Sequence, residues 1–231
     1  MPIEKYIHYK TEYGADIGVE VIIHRVKAQD LKKKIEELNT DSSVDSIIIQ
    51  LPIEDPSLTD EALNLIVPTK DVDGLGDKSN YDPATAVAIL WLLSGHNIQL
   101  DGKKIYLVGG GKLVGRPLSA MLTKSGTAHQ VLTTKDDINQ LADGDIIISA
   151  TGQPGLITAN LIKPGAVFVD AGTVGEDGVI KGDASDELYQ RDDISITPKF
   201  GGVGPLTISA LFDNVLRAAD LKRKELQGHG S

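Results

Sequence analysis

Apolar and polar positions recur along this chain with a period that keeps switching, and each switch marks an element. Ile3, Tyr6, Ile7 and Tyr13 stand at helical spacings, which predicts a helix over 3–16 that Gly18 ends. VEVIIHRV at 19–26 is rich in β-branched residues and predicts a strand. Leu31, Ile35 and Leu38 share one face of an amphipathic helix over 27–39. The run SVDSIIIQLPI at 43–53 predicts a buried strand, closed by Pro52 because proline cannot continue a central ladder. A short helix over 58–67 follows, and 68–83 is a long polar connection.

The pattern then restarts. Residues 83–94 predict a helix, KKIYLVGGG a strand running into glycines, and 113–126 a helix ended by Gly126. HQVLTT, DIIISATG, AVFVDAG and DISITP predict strands, DDINQLADG a helix, and Val174 to Lys181 a hairpin turning at Glu176-Asp177-Gly178. LTISALFDNVLRAADLKRK is a long closing helix. Strands that alternate with helices imply parallel sheets and right-handed crossovers. The expected fold class is therefore α/β, with two parallel-sheet domains. One covers 1–82 together with the closing helix, 205–224; the other covers 83–204 and is Rossmann-like.

Charge narrows the partners. Lys plus Arg number 23 against 33 Asp plus Glu, a net charge of −10. No basic surface is left to neutralise phosphates or an anionic bilayer, which argues against nucleic acid and membrane as partners. Hydrophobic residues at 41% and charged residues at 24% fit a globular chain and exclude general disorder. The absence of Cys removes disulfides, thiolate nucleophiles and Cys-ligated zinc, and five His, two of them near the chain ends, suggest no metal centre. No stretch is long and apolar enough to span a bilayer, and MPIEKYIHYK has no secretory-signal core, so a cytoplasmic protein is the simplest reading.

The first candidate chemistry is Gly109-Gly110-Gly111-Lys112-Leu113-Val114-Gly115, between a predicted strand and a predicted helix. Glycines there permit a tight turn, let a pyrophosphate approach the backbone and let the helix pack close to the sheet. Phosphates would sit on the helix N-terminus, where free N–H groups favour negative charge. A purely structural turn is the competing reading. The next strand ends roughly 20 residues on, where cofactor choice is read. It carries Thr133-Thr134-Lys135 in place of an acidic residue, which leans toward NADP with NAD still possible. Lys135 as a solvated surface residue fits nearly as well.

In the first unit, Tyr6 and Lys10 lie four apart on one helix face. Gln50 ends an apolar run at the carboxyl end of a strand, where open α/β sheets present ligand-binding groups. Asp71 and Asp73 sit on a loop in KDVDG. Each has a plain alternative: an exposed stripe, a strand cap, and turn chemistry.

Several strings together resemble the bifunctional methylenetetrahydrofolate dehydrogenase/cyclohydrolase family. Gly201-Gly202-Val203-Gly204-Pro205-Leu206-Thr207 is similar to its GGVGPMT, Gln50-Leu51-Pro52 to its VQLPLP, and Lys70 to Gly74 matches its KDVDG. Val108 to Pro117 resembles VGRSxxVGxP, and Tyr6 to Lys10 resembles YVxxK. Order and spacing agree over nearly the whole chain.

The resemblance implies oxidation of 5,10-methylenetetrahydrofolate to the methenyl form by hydride transfer to a nicotinamide, then hydrolysis to 10-formyltetrahydrofolate. It makes 1–82 a folate-binding catalytic domain and 83–204 an NAD(P)-binding domain. Lys10 becomes the catalytic lysine, Gln50 its partner, Tyr6 an aromatic wall of the folate pocket and Asp73 the pterin anchor. Leu51, Phe200 and Gly201 would line the substrate pocket. Gly109, Gly110, Gly111, Lys112, Val114, Gly115, Thr133, Thr134, Lys135, Ala150, Thr151 and Gly152 would bind the cofactor. A homodimer is implied on the same ground.

Departures from the family's pattern are specific. Its Arg and Ser after the first loop glycine are Gly110 and Gly111 here, which weakens the NADP reading. Its proline before GGVGP is Phe200, and PCTPxG is replaced by Pro83-Ala84-Thr85-Ala86-Val87-Ala88. Members carry several tens of residues before YVxxK, forming a helix and an apolar parallel strand, whereas Met1 lies five residues before Tyr6. The alternative function is a non-catalytic folate- or nucleotide-binding homologue that lost activity with that strand.

Overall fold

The computed structural model describes residues 2–172, 174–176 and 179–228. By its internal contacts the chain divides into two compact units. Thr85–Thr207, with Met1–Pro2, form one; Ile3–Ala84 and Ile208–Ser231 form the other.

The Thr85–Thr207 unit is built on parallel strands β1 (Ile105–Val108), β2 (Gln130–Leu132), β3 (Ile146–Ser149), β4 (Val167–Asp170) and β7 (Ser195–Ile196). Their order is β2-β1-β3-β4-β7, every neighbouring pair parallel. IYLV and IIIS are buried throughout, as expected of strands covered on both faces. Tyr106, Leu141, Ile147, Phe168 and Leu188 form the centre of its core. β2 and β3 lie on opposite sides of β1, so the strand order reverses there, and open α/β sheets bind ligands at that reversal. Helix α4 (Ala84–Gly95) precedes β1 in sequence, α5 (Gly115–Lys124) follows it, and Gly126 at φ 75° stands just beyond α5. A small hairpin, β5 (Val174–Glu176) and β6 (Val179–Lys181), is antiparallel; its expected turn at Asp177-Gly178 lies outside the described residues.

Three details of this unit differ from expectation. Residues 138–143 form a 3₁₀ turn, not an α-helix. A second 3₁₀ turn, Ala159–Leu161, and the four-residue α6 (Asp186–Tyr189) are too short to leave a periodic signal.

The other unit contains α1 (Pro2–Asp16), α2 (Ala28–Thr40), α3 (Thr59–Leu65) and most of α7 (Val203–Gly228). Ile35, Ile47, Ile49, Leu63 and Ile66 form its core. Among the described residues its expected parallel sheet is reduced to one parallel bridge, Ile47↔Asp71. VEVIIHRV forms no ladder, and Ile22 is 64% exposed. β-branched residues favour a pleated, half-buried setting, but a strand exists only where a neighbour pairs with it. Among the described residues no backbone N–H of 20–26 finds a backbone acceptor. The bidentate Arg25–Glu4 pair, at 2.8 and 2.9 Å, still ties this segment to α1.

Candidate functional site

Lys10 and Gln50, forty positions apart in sequence, meet in the Ile3–Ala84 unit. Helix α1 presents Lys10, and its Nζ donates to Gln50 Oε1 at 3.0 Å. The Gln50 amide is oriented by its own Nε2, which donates to the Leu51 carbonyl at 3.2 Å and leaves Oε1 for the lysine. Gln50 follows Ile47 and Ile49, which anchor the run in the core. Lys10 and Gln50 line an open groove of about 480 Å³ together with Ile7, Ile48 and residues 21–27.

The charges around Lys10 oppose one another. Burial pushes its pKa below the ordinary lysine value, while the negative charge of Asp73 pulls it partly back. Burial holds the Asp73 carboxyl above the usual carboxylate range, Lys10 lowers it, and Asp71 adds a small upward push. The lysine is thereby biased toward the neutral amine, the form that can accept a proton.

Asp71 and Asp73 separate into distinct roles. Asp71 is buried, and its Oδ2 accepts the Gly76 N–H at 2.8 Å. Its backbone carbonyl accepts the Ser79 hydroxyl at 2.8 Å, so Asp71 holds the turn, while its Oδ1 is buried with no partner among the described residues. Asp73 carries the charge that reaches Lys10. Both flanks of its loop are pinned by Asn214 of α7, whose Nδ2 donates to the Val72 and Asp82 carbonyls at 2.9 and 3.0 Å. Tyr6 is half-buried on α1, one turn before Lys10. Leu51 packs against the core of the same unit.

The glycine turn of the Thr85–Thr207 unit has the shape that a dinucleotide needs. Gly109 has φ 97°, and a Cβ there would stand 2.6 Å from the Ala150 carbonyl oxygen. A Cβ at Gly115 would lie 1.8 Å from the Gly109 carbonyl oxygen, so only glycine lets α5 start this close to β1. Gly111 has nothing within 4 Å of such a Cβ, and Gly110 only Val131 at 3.7 Å, so the outer side of the turn is open. α5 has no side-chain N-cap. A tight turn, a close helix and an open flank beside an uncapped helix start meet the requirements of a pyrophosphate cradle.

At the end of β2, Asp136 brings a carboxylate where the sequence suggested none. Its Oδ2 accepts both the backbone N–H and the hydroxyl of Thr133, each at 2.8 Å. The Thr133 hydroxyl is thus engaged, and Thr134 and Lys135 form the exposed turn around it. Thr151 and Gly152 follow β3, and the Thr151 N–H donates to Asp183 at 2.7 Å. Phe200, 61% exposed, and Gly201, at φ 81°, belong to this unit. Sequence reasoning missed Asp170, Asp183 and Asn214. Asp170 had a signal, a lone acid ending the apolar run AVFVD; the other two had none.

Known proteins bear on both units. The tetrahydrofolate dehydrogenase/cyclohydrolase catalytic domain matches residues 2–73, and the NAD(P)-binding domain of the same family matches 83–223. The bifunctional protein FolD of Staphylococcus haemolyticus is 36% identical over 236 residues, 95% of this chain and 83% of that protein. Its Staphylococcus aureus (strain Newman) counterpart is 33% identical over 95% of this chain and 82% of its own. Among solved structures, the FolD methylenetetrahydrofolate dehydrogenase/cyclohydrolase of Campylobacter jejuni superposes with a TM-score of 0.86 at 30% identity, over 96% of this chain and 84% of that one. The Trypanosoma brucei FolD, complexed with NADP and an inhibitor, gives 0.83 at 27% identity, over 98% and 84%.

The chain belongs to the tetrahydrofolate dehydrogenase/cyclohydrolase family. It is an enzyme of the bifunctional dehydrogenase/cyclohydrolase type, with both the catalytic and the NAD(P)-binding domain present. No relative supports the non-catalytic alternative. Among the described residues no helix is long and apolar enough to cross a membrane.

Proposed function

We propose that this chain oxidises 5,10-methylenetetrahydrofolate to the methenyl form with NAD(P)+ and hydrolyses the product to 10-formyltetrahydrofolate, with Lys10 as the proton acceptor of the second step. The observation that carries the reading is the Lys10–Gln50 contact at 3.0 Å, on an amine that burial shifts toward neutrality. The methenyl carbon is cationic, and water attacks it. The amine of Lys10 takes the proton that the water releases. Gln50 accepts a hydrogen bond from Nζ and so fixes where the lone pair points without adding a charge. Asp73 accepts hydrogen bonds from the amino-pyrimidine edge, a charge-assisted pairing. Tyr6 and Leu51, of the same unit as Lys10, contact the substrate.

The nicotinamide cofactor, when bound, supplies the hydride acceptor. The open flank at Gly110 and Gly111, with Gly109, Lys112, Val114 and Gly115, would hold its phosphates. Thr133, Thr134 and Lys135 would take the adenosine ribose, and Ala150, Thr151 and Gly152 the nicotinamide half. Lys135 favours a 2′-phosphate, and the Asp136 carboxylate beside it, which would disfavour one, is engaged by Thr133, so NADP is the leading cofactor and NAD a competent second. In this reading residues 1–82 and 205–224 serve the folate, 83–204 serve the cofactor, and the enzyme is a cytoplasmic homodimer.

Two assays test the roles. Formation of reduced cofactor from methylenetetrahydrofolate follows the first step, and loss of methenyl absorbance without cofactor follows the second. Lys10→Ala should slow hydrolysis by about 10²-fold or more and leave cofactor binding intact. Hydrolysis at the wild-type rate in that variant would remove Lys10 as the base.

A further inference from the structure

Two carboxylates at the carboxyl ends of β3 and β4 have no part in the chemistry above. Asp170 ends β4, and Asp183 follows β6 and is completely buried. Its carboxylate accepts three hydrogen bonds: the Ser149 hydroxyl at 2.6 Å, the Thr151 N–H at 2.7 Å and the Gln153 N–H at 3.0 Å. All three donors belong to the chain leaving β3. Asp170 fixes Asp183 from behind. It accepts the N–H groups of Asp183 and Ala184 at 3.0 and 2.8 Å, the Gly172 N–H at 3.0 Å and the Tyr189 hydroxyl at 2.7 Å.

The space for this network depends on glycine. A Cβ at Gly172 would stand 2.2 Å from the Asp183 carboxylate carbon, and one at Gly182 would stand 2.3 Å from Asp170 Oδ2. The segment that Asp183 holds also backs the glycine turn, since a Cβ at Gly109 would be 2.6 Å from the Ala150 carbonyl.

We propose that Asp183 is a positioning residue for the cofactor: it locks Ala150-Thr151-Gly152 in the conformation that receives the nicotinamide nucleotide, without touching the nucleotide itself. This rests on the reading of those three residues as cofactor-binding. Ala150 is still tied to β1, its N–H donating to the Val108 carbonyl at 2.8 Å, but Thr151 and Gly152 lie past the ladder, and a ligand that must order them loses affinity. Charge-assisted bonds from one buried carboxylate order them in advance. An amide cannot substitute, because its NH₂ would face one of three converging donors.

Asp183→Asn tests this in the whole enzyme. Its KM for the nicotinamide cofactor, and its Kd by calorimetry, should rise about ten-fold or more. Methenyl hydrolysis, which consumes no nicotinamide, should stay within about two-fold of wild type. Ser149→Ala removes one donor and leaves both backbone donors in place, and should raise the cofactor Kd by a smaller factor of about three. An unchanged cofactor Kd in Asp183→Asn would overturn the proposal, as would equal loss of hydrolysis and cofactor binding in Ser149→Ala. If Asp183→Asn does not fold, the Ser149→Ala comparison decides. Absence of turnover in the wild type would refute the functional reading, while the Kd comparison would still decide the role of Asp183.

Discussion

Asn214 offers a quantitative test of how α7 supports the loop around Asp73. The side chain is 3% exposed, and Nδ2 donates to the Val72 and Asp82 carbonyls. Asn214→Ala removes both donors; the Val72 carbonyl is left buried without one, while that of the exposed Asp82 can turn to water. A buried polar group stripped of its partner costs about 1–3 kcal/mol, and the Val72 carbonyl sets that cost here. Against a total stability of about 5–15 kcal/mol this is a large share. For a chain of this size it lowers Tm by about 3–9 °C. Thermal and urea unfolding by circular dichroism measure it, with the urea slope unchanged if only the native state is affected. The two carbonyls flank Asp73 in sequence, so the KM for the folate substrate should rise as well. A loss under about 0.5 kcal/mol, the range of ordinary surface substitutions, would show that these two bonds do not hold the loop.

Two further outcomes follow from the same geometry. The Lys10 pKa is lowered by burial, so the neutral amine gains population, and hydrolysis speeds up, as pH rises through a value below the ordinary lysine range. Asp73 raises that pKa, so Asp73→Asn should move the inflection in the hydrolysis rate to lower pH; a move to higher pH would refute the coupling. The stability sign agrees: the folded pKa lies below the unfolded one, so this group's contribution improves as pH rises from the folded toward the unfolded value. At the glycine turn, Gly115→Ala forces a methyl against the Gly109 carbonyl and should cost about 1–3 kcal/mol with loss of cofactor affinity, whereas Gly111→Ala should leave the unfolding midpoint unchanged.

What the sequence could show follows from what each feature needs. The glycine turn was legible because a strand, a Gly-rich run and a helix are contiguous, and their order alone places the turn at the end of β1. Lys10 and Gln50 were legible through ordered motifs; their 3.0 Å contact depends on a tertiary approach that no spacing encodes. The strand expected at 19–26 was misread because β-branched composition describes a preference for a neighbour without supplying one. Asp136 was passed over because it lies three residues after Thr133, and only the turn brings its carboxylate back to that hydroxyl. Asp183 sits in a plain Gly-Asp-Ala, and its three donors come from residues 30 to 34 positions earlier.

The bare segment at 20–26 has a dynamic consequence. Its amides have no backbone acceptors among the described residues, and the same holds for those of Ile48 and Gln50 across the groove. Such amides exchange their hydrogens with solvent at low opening cost, whereas those of β1 and β3 are locked in a ladder. Deuterium uptake should therefore split the molecule sharply. The unit that carries Lys10 thus has a wall of readily exchanging amides, and the NAD(P)-binding unit a slowly exchanging centre.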